Sequence, residues 1–236
     1  ASLQSLQMAK LSTTNVVAMT TSALTNLSTS ALNALTTLAV SKLLTSQVNS
    51  LTAGQFGSLL TEQISALTTT QANLLGDVQA KALTSAQLNA LTTDDLAQLN
   101  TVALQALKTA SLGALATERL NQLTSAQFSS LSLAQIIGLS TDQYAGLSTT
   151  LASAISATQV TSIEVRDLQK LSTDAVQALT TAAVATFTNA QLVGLQTTQV
   201  ASITTSQVQA LTLNELMVMN TTQVKALTSA QLNALR

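Results

Sequence analysis

The sequence predicts an all-α fold, a solenoid or superhelical coil in which each eight-residue repeat forms one very short helix. Three observations predict it: two apolar series with a period of eight, a helix-capping signal in most repeats, and charges sorted by their place in the repeat. The frame starts at Leu3, and about 29 octads fill residues 1–236 without an insertion or deletion. We therefore expect a single uninterrupted repeat array across 1–236, without a linker between domains.

The two apolar series hold their register along the whole chain. The first begins at Leu3 and recurs every eight residues to Leu235, and each member is Leu, Ile, Met or Phe. The second begins five residues later at Met8 and runs to Leu232. A disordered low-complexity tract has no reason to keep such a register. Each octad is therefore expected to occupy an equivalent place in a regular structure.

A capping signal lies between the two series. The consensus is L-[TS]-T-x-Q-[LV]-x-A, as in residues 83–90, with Ser or Thr after the first-series residue in 19 of 29 octads. Gln or Glu follows three residues later in 17 of 29, which is the spacing of a capping box. The two apolar residues then occupy N′ and N4, the positions of a hydrophobic staple. A threonine or serine thus restarts helical winding every eight residues.

Charge placement supports a helix in each octad. Five of the nine basic residues fall in the last two positions of an octad: Lys10, Lys42, Lys81, Lys170 and Lys225. All ten acidic residues fall between N-cap and N3: Glu62, Asp77, Asp94, Asp95, Glu118, Asp142, Glu164, Asp167, Asp174 and Glu215. Helix N-termini favour anions and C-termini favour cations, so a short helix explains this sorting.

Two other conformations compete with short helices. In one continuous helix, eight residues advance about 80° past two full turns, so the apolar stripe would rotate around the axis. A β-solenoid suits the many Thr and Val residues. However, the apolar spacings of five and three are odd, which puts the two series on opposite faces of a strand. The β-solenoid is kept as the alternative fold.

Helices this short are unstable alone, so neighbouring octads must bury one another's apolar residues. The position before each first-series residue is Ala, Gly or Ser in 20 of 29 octads, which lets backbones approach closely. We expect several octads per turn around a continuous apolar core. The aromatic residues lie on core positions: Phe56, Phe128, Phe187 and Tyr144.

The sequence lacks the residues that most enzymes use. It contains no His and no Cys, which excludes a hydrolase triad, a thiolate nucleophile and the usual zinc ligands. Asp94 and Asp95 are the only adjacent acidic pair, and a helix start explains them. We predict that the chain is not an enzyme, has no catalytic, cofactor-binding or metal-binding residues, and takes no small-molecule substrate.

Charge and hydropathy limit the partners. The formal net charge is −1, so the chain offers no basic surface for nucleic acid. No apolar run of about 18 residues occurs, so no membrane span is expected. Several positions assigned to the outer surface carry apolar residues, including Leu38, Val102 and Leu151. These residues could support self-association into fibres or lateral packing.

Residues 83–91 and 227–235 resemble the LTxxQVxAL arrays of very large bacterial secreted and surface proteins of the adhesin type. The resemblance covers the whole chain as a match of composition and period. It implies a bacterial segment, extracellular or at the cell surface, that acts as a stalk, spacer or fibre. No functional residue can be carried over from it.

The sequence therefore predicts a structural repeat rod, either a stalk or spacer in a large bacterial surface protein or the subunit of an extracellular filament. The alternative is a ligand-binding surface formed by the threonine array, with ice or carbohydrate as its ligand. Capping already explains the first threonine of each Thr-Thr pair.

Overall fold

The computed structural model describes residues 4–235, which form 29 α-helices and no strand. The helices are four to six residues long, and their first residues are spaced by eight from Ser5 to Ser229. The prediction of one short helix per octad is confirmed, and the β-solenoid alternative is wrong for this part of the chain. Within the same residues, no helix has the length and apolar character needed to cross a membrane.

The chain divides into two compact units, of which Leu115 closes the first and Ala116 opens the second. The helices of the first unit are α1 (Ser5–Met8), α2 (Thr13–Val17), α3 (Thr21–Thr25), α4 (Thr29–Asn33), α5 (Thr37–Lys42), α6 (Thr45–Ser50), α7 (Ala53–Gly57), α8 (Thr61–Ser65), α9 (Thr69–Asn73), α10 (Asp77–Ala82), α11 (Ser85–Ala90), α12 (Thr93–Gln98), α13 (Thr101–Ala106) and α14 (Thr109–Gly113).

The second unit follows the same pattern. Its helices are α15 (Thr117–Leu120), α16 (Ser125–Ser129), α17 (Leu133–Ile137), α18 (Thr141–Ala145), α19 (Thr149–Ala152), α20 (Ala157–Val160), α21 (Val165–Leu168), α22 (Thr173–Ala178), α23 (Thr181–Val184), α24 (Asn189–Gly194), α25 (Thr197–Ser202), α26 (Thr205–Gln209), α27 (Leu213–Val218), α28 (Thr221–Ala226) and α29 (Ser229–Ala234).

Each helix begins at the predicted cap. Wherever that cap is Ser or Thr, its side chain accepts a hydrogen bond from the N3 amide, as Thr84 does from Gln87 at 3.2 Å. Asn100 and Asn220 cap in the same way. The bond satisfies one of the amides that a helix start leaves without an intrahelical partner.

The bend between helices needs no left-handed residue. At the end of α5, Leu43 has φ −56° and ψ 140°, and the following cap Leu44 has φ −66° and ψ 150°. The Leu43 amide donates to the Val40 carbonyl at 3.1 Å. None of the described residues has a positive φ. Because two extended residues make each bend, seven glycines suffice for the whole sequence.

Within each unit the helices wind into a coil whose turn comprises between three and four octads. Each helix packs against the helix three ahead of it wherever both lie in the same unit, as α22 does against α25. Side-chain hydrogen bonds also reach the helix four behind, as from Gln207 of α26 to Val176 of α22. The second apolar series, from Met8 to Val208, is at most 2% exposed and forms the core. The four aromatic residues are buried, as predicted: Phe56, Phe128 and Tyr144 belong to this series, and Phe187 belongs to the first series.

Small residues at the helix ends allow the close packing that the sequence predicts. A Cβ atom on Gly146 would lie 2.6 Å from Cγ2 of Thr117 in the preceding turn. A Cβ atom on Gly194 would collide with Cγ1 of Val165. At these two positions an added methyl group would collide with a side chain of the preceding turn, so a residue larger than glycine fits only if that side chain moves.

Candidate functional site: the glutamine clamp between turns

The glutamine at N3 bonds to two turns at once. In α26, Oε1 of Gln207 accepts from the amide of its own cap Thr204 at 2.8 Å. Nε2 of Gln207 donates to the carbonyls of Val176, Gln177 and Leu179 at 3.1, 3.1 and 2.6 Å. We call a glutamine whose Nε2 donates in this way to the turn before it a glutamine clamp. It ties the start of one helix to the junction of two earlier helices.

The clamp repeats with nearly constant geometry. Each Nε2 donates to the carbonyl 28 residues earlier and to a second carbonyl 30 or 31 residues earlier. Clamps of this geometry include Gln47, Gln55, Gln63, Gln71, Gln79, Gln87, Gln159, Gln191, Gln199, Gln207, Gln223 and Gln231. All of them are buried, so the bonds satisfy polar groups that water cannot reach.

A second set of amides, which we call the outer amides, bonds in the opposite direction. Nδ2 of Asn121 donates to the carbonyl of Gly146 at 2.8 Å, and Oδ1 accepts from the amide of Ser148 at 2.9 Å. Equivalent donors to the carbonyl 25 residues ahead are Asn49, Asn73, Asn89, Gln169 and Gln209. Clamps reach backward and outer amides reach forward, so neighbouring turns are joined by polar bonds on both sides.

In two octads whose N3 residue is not glutamine, another side chain replaces the clamp. Ser111 occupies N3 of α14, and its Oγ donates to the Leu83 carbonyl, 28 residues earlier, at 3.1 Å. Ala103 occupies N3 of α13 and has no donor. There the cap Asn100 turns its Nδ2 toward the Leu75 carbonyl at 3.0 Å. In both octads the carbonyl 28 residues before N3 therefore accepts a side-chain hydrogen bond, although the donor residue differs.

Asp167 occupies the clamp position of α21, and a tyrosine supplies the missing donor. A glutamine there would reach Ile136, and instead the Tyr144 hydroxyl donates to the Ile136 carbonyl at 2.7 Å. The Asp167 carboxylate accepts from the Thr141 hydroxyl at 2.9 Å. Burial raises the pKa of Tyr144, and the negative charges of Asp167 and Glu164 raise it further.

The octad 163–170 carries the densest charge but no arrangement typical of catalysis. Nε of Arg166 lies 2.9 Å from Oε2 of Glu164 and 3.6 Å from Oδ2 of Asp167. Arg166 and Glu164 are exposed, so solvent weakens their ion pair. Among residues 4–235, no group of three or more His, Cys, Asp or Glu side chains could hold a metal ion.

A shallow open groove between α9 and α12 is lined by polar side chains, including Thr69, Asn73 and Asp94. Nδ2 of Asn73 donates to the Gln98 carbonyl at 2.8 Å. Asn73 is therefore one of the outer amides, and its amide group joins two neighbouring turns.

The predicted outer surface is correct for two of the three apolar residues named above. Leu38 and Val102 are exposed. Leu151 is fully buried, so its assignment to the surface is wrong. Leu151 occupies N3 of α19, the position that faces the preceding turn. The clamp occupies the same position, and within a single octad its glutamine is indistinguishable from an ordinary capping-box residue.

Comparison with known families and proteins yields no match: no family model matches the chain, and no curated protein matches it. The structure supports a tandem helical repeat, and the likeness to adhesin-type arrays rests on the octapeptide motif alone.

Proposed function

We propose that this chain is a structural repeat rod, a stalk or spacer of a large bacterial surface protein or the subunit of an extracellular filament. The observation that carries the proposal is the glutamine clamp. Its buried amides join one turn of octads to the next, as Gln199 joins α25 to the carbonyls of Leu168 and Leu171. The most regular polar groups of the fold thus maintain the coil itself.

The range of the contacts also favours a rod. Within each unit, a helix meets helices three or four octads away. Such an architecture is quasi-one-dimensional, and its stability is close to a sum of repeat and interface contributions. Adding octads would lengthen the coil and leave its cross-section unchanged, which is what a spacer requires.

The extracellular bacterial setting is supported by the motif. Residues 83–91 and 227–235 keep the LTxxQVxAL pattern of adhesin-type arrays. The chain also contains no cysteine, so its stability does not depend on the redox state of its surroundings.

The threonine array is the second candidate, because threonines at N1 are exposed, including Thr61, Thr69 and Thr205. Cap threonines already accept a hydrogen bond from the N3 amide, so the N1 hydroxyls would form the binding surface for ice or a glycan. Thermal hysteresis and glycan-array binding would support this candidate over an inert rod.

Solution scattering with electron microscopy tests the rod. The full chain is compared with a variant in which the seven octads of residues 171–226 are duplicated in tandem. A rod gains length in proportion to the added octads and keeps its cross-sectional radius of gyration. A compact particle, or a cross-section that grows with the added octads, would reject the proposal.

A further inference from the structure

The carbonyls of the first-series residues are the regular acceptors of the clamp. In the second unit, Gln159 donates to the Leu131 carbonyl at 3.0 Å, and Gln191 donates to the Ile163 carbonyl at 2.8 Å. Between these two acceptors, within the part of the chain that the structure describes, three consecutive first-series carbonyls accept no hydrogen bond, and all belong to buried residues: Leu139, Leu147 and Ile155. Because a turn comprises between three and four octads, this gap spans almost a whole turn.

The N3 residues 28 positions later explain the gap. They are Asp167, Ala175 and Ala183, which offer a carboxylate and two methyl groups in place of an amide donor. The caps of α22 and α23 do not replace the clamp. Their hydroxyls, on Ser172 and Thr180, stay at their own helix starts and accept from the N3 amides at 3.1 Å. In α13, by contrast, the longer side chain of an asparagine cap reaches back to the preceding turn.

The contact between helices α17–α20 and helices α21–α23 therefore differs from its neighbour, and we call it the unclamped step. Within the described residues, two side-chain hydrogen bonds cross it. The Thr141 hydroxyl donates to the Asp167 carboxylate at 2.9 Å, and the Thr186 hydroxyl donates to the Ala157 carbonyl at 3.0 Å. Each of the next three helices, α24–α26, is tied to the turn before it by a buried clamp: Gln191, Gln199 and Gln207.

Apolar packing does not distinguish the two contacts. The second-series residues of α21–α26 are all at most 1% exposed. The difference therefore lies in the polar groups. Opening a clamped contact breaks protein hydrogen bonds and replaces them with bonds to water, whereas opening the unclamped step gives water to carbonyls that had no partner. Less free energy is therefore needed to open the unclamped step.

We propose that the unclamped step is a yielding point built into the coil, at which α21–α23 separate from α17–α20 before α24–α26 separate from the turn that precedes them. Contacts in such a repeat are made only between neighbouring turns, so one contact can open while others stay closed. The opening follows from the clamp geometry and does not depend on the proposed function. Its consequence for a stalk does depend on that function, because a stalk under tension would lengthen here first.

Amide hydrogen exchange of the full chain at neutral pH tests the yielding point. Helices this short do not persist without packing, so their amides exchange when a turn separates. Equivalent amides donate to the second-series carbonyl at the end of each helix. We expect those of α21–α23 to exchange about tenfold or more faster than those of α24–α26. The first group is Leu171, Leu179 and Phe187, and the second is Leu195, Ile203 and Leu211.

Two variants change the clamps in opposite directions. Ala175→Gln/Ala183→Gln supplies donors for the Leu147 and Ile155 carbonyls, and it should slow exchange in α21–α23 about tenfold. Gln199→Ala/Gln207→Ala removes two clamps from the next turn and should raise exchange in α25 and α26 to the rate of α21–α23. This second variant keeps the test valid if two added glutamines prevent folding.

The matched control for the added glutamines is Asp174→Gln/Ala182→Gln, which places them one residue earlier, at exposed N2 positions. It should leave the exchange of α21–α23 unchanged. Equal exchange in α21–α23 and α24–α26 of the unsubstituted chain would overturn the proposal, and so would slower exchange in α21–α23. An equal slowing by the control and by Ala175→Gln/Ala183→Gln would also overturn it, because the effect would then not come from the clamp position.

Discussion

The Tyr144 hydroxyl donates a 2.7 Å hydrogen bond to the carbonyl of Ile136, which a clamp at position 167 would otherwise hold. Tyr144→Phe should therefore destabilise the fold by about 1–2 kcal/mol, because the buried carbonyl loses this donor. Urea unfolding measures the loss. Phe128 lies at the equivalent octad position. Its substitution Phe128→Leu removes no hydrogen bond and gives the cost of altered packing alone.

Tyr144 also predicts a dependence on alkaline pH. Its pKa in the folded chain is raised above the ordinary value of 10.0 by burial and by nearby negative charge. Because the folded pKa lies above the unfolded one, the resulting stability is fully present below pH 10.0 and is lost progressively above it. The chain has one Tyr and no Trp, so tyrosinate absorbance reports this residue alone. A native titration midpoint near pH 10.0 would contradict the prediction.

Gln199 offers a direct test of the clamp. Gln199→Ala should destabilise the fold by about 2–3 kcal/mol, because it removes the bonds to Leu168 and Leu171 and the bond from the cap. Gln199→Glu should cost more near pH 7, since its carboxylate would face two carbonyl oxygens. The pKa of the introduced carboxyl should be raised, so the extra cost should shrink as the pH falls toward about 4.

Denaturant unfolding at both pH values measures these changes. The control is Gln177→Ala, which truncates an exposed glutamine outside the clamp position. It should change stability by less than about 0.5 kcal/mol. Equal effects at positions 177 and 199 would show that the clamp bonds contribute nothing specific.

Asp95→Gln should stabilise the first unit. Asp95 is buried at N3 of α12, and its carboxylate accepts from the Thr92 hydroxyl at 2.6 Å. A glutamine at this position would bring an amide donor to the carbonyls of Ile64 and Leu67, which lie 31 and 28 residues earlier. We expect a gain of about 1–2 kcal/mol in thermal or urea unfolding. The exposed neighbour provides the control, because Asp94→Gln should give no gain.

The stability change caused by Gly194→Ala should reverse its sign when Val165 is also replaced by alanine. Gly194→Ala alone should destabilise the fold by about 1–3 kcal/mol, since the added methyl collides with the Val165 side chain. In a Val165→Ala background the same change should be neutral or stabilising by up to about 1 kcal/mol, because alanine favours a helix more than glycine does. A double-mutant cycle measures this coupling, and additive effects would contradict the close approach.

The local part of the fold follows from the sequence because each octad encodes it within eight residues. The cap, the N3 residue and the two apolar positions were placed correctly, and the sorting of acids between N-cap and N3 agrees with the helix starts. The size of a turn could not be predicted. It depends on how helices 24 residues apart in the sequence pack together. A pattern that repeats every eight residues does not specify which repeats are in contact.

The sequence contains a signal for the clamp that the capping-box interpretation does not use. A capping box accepts Glu or Gln at N3, yet sixteen octads carry Gln, one carries Glu (Glu215) and two carry Asp (Asp95 and Asp167). That preference indicates a position where a negative charge is unfavourable and a donor is needed. The burial of Leu151 has the same cause, because N3 faces the preceding turn.

The bend made by two extended residues has a consequence for how such a sequence can change during evolution. Each octad contains its own start signal, core residue and reversal, and none of these depends on a special glycine. Gene duplication or loss in units of 24 base pairs therefore preserves every helix start, whereas a single-codon insertion changes the separation of 28 residues between a clamp and its carbonyl wherever the pair spans the insertion. The number of octads can therefore change among descendants in steps of one repeat.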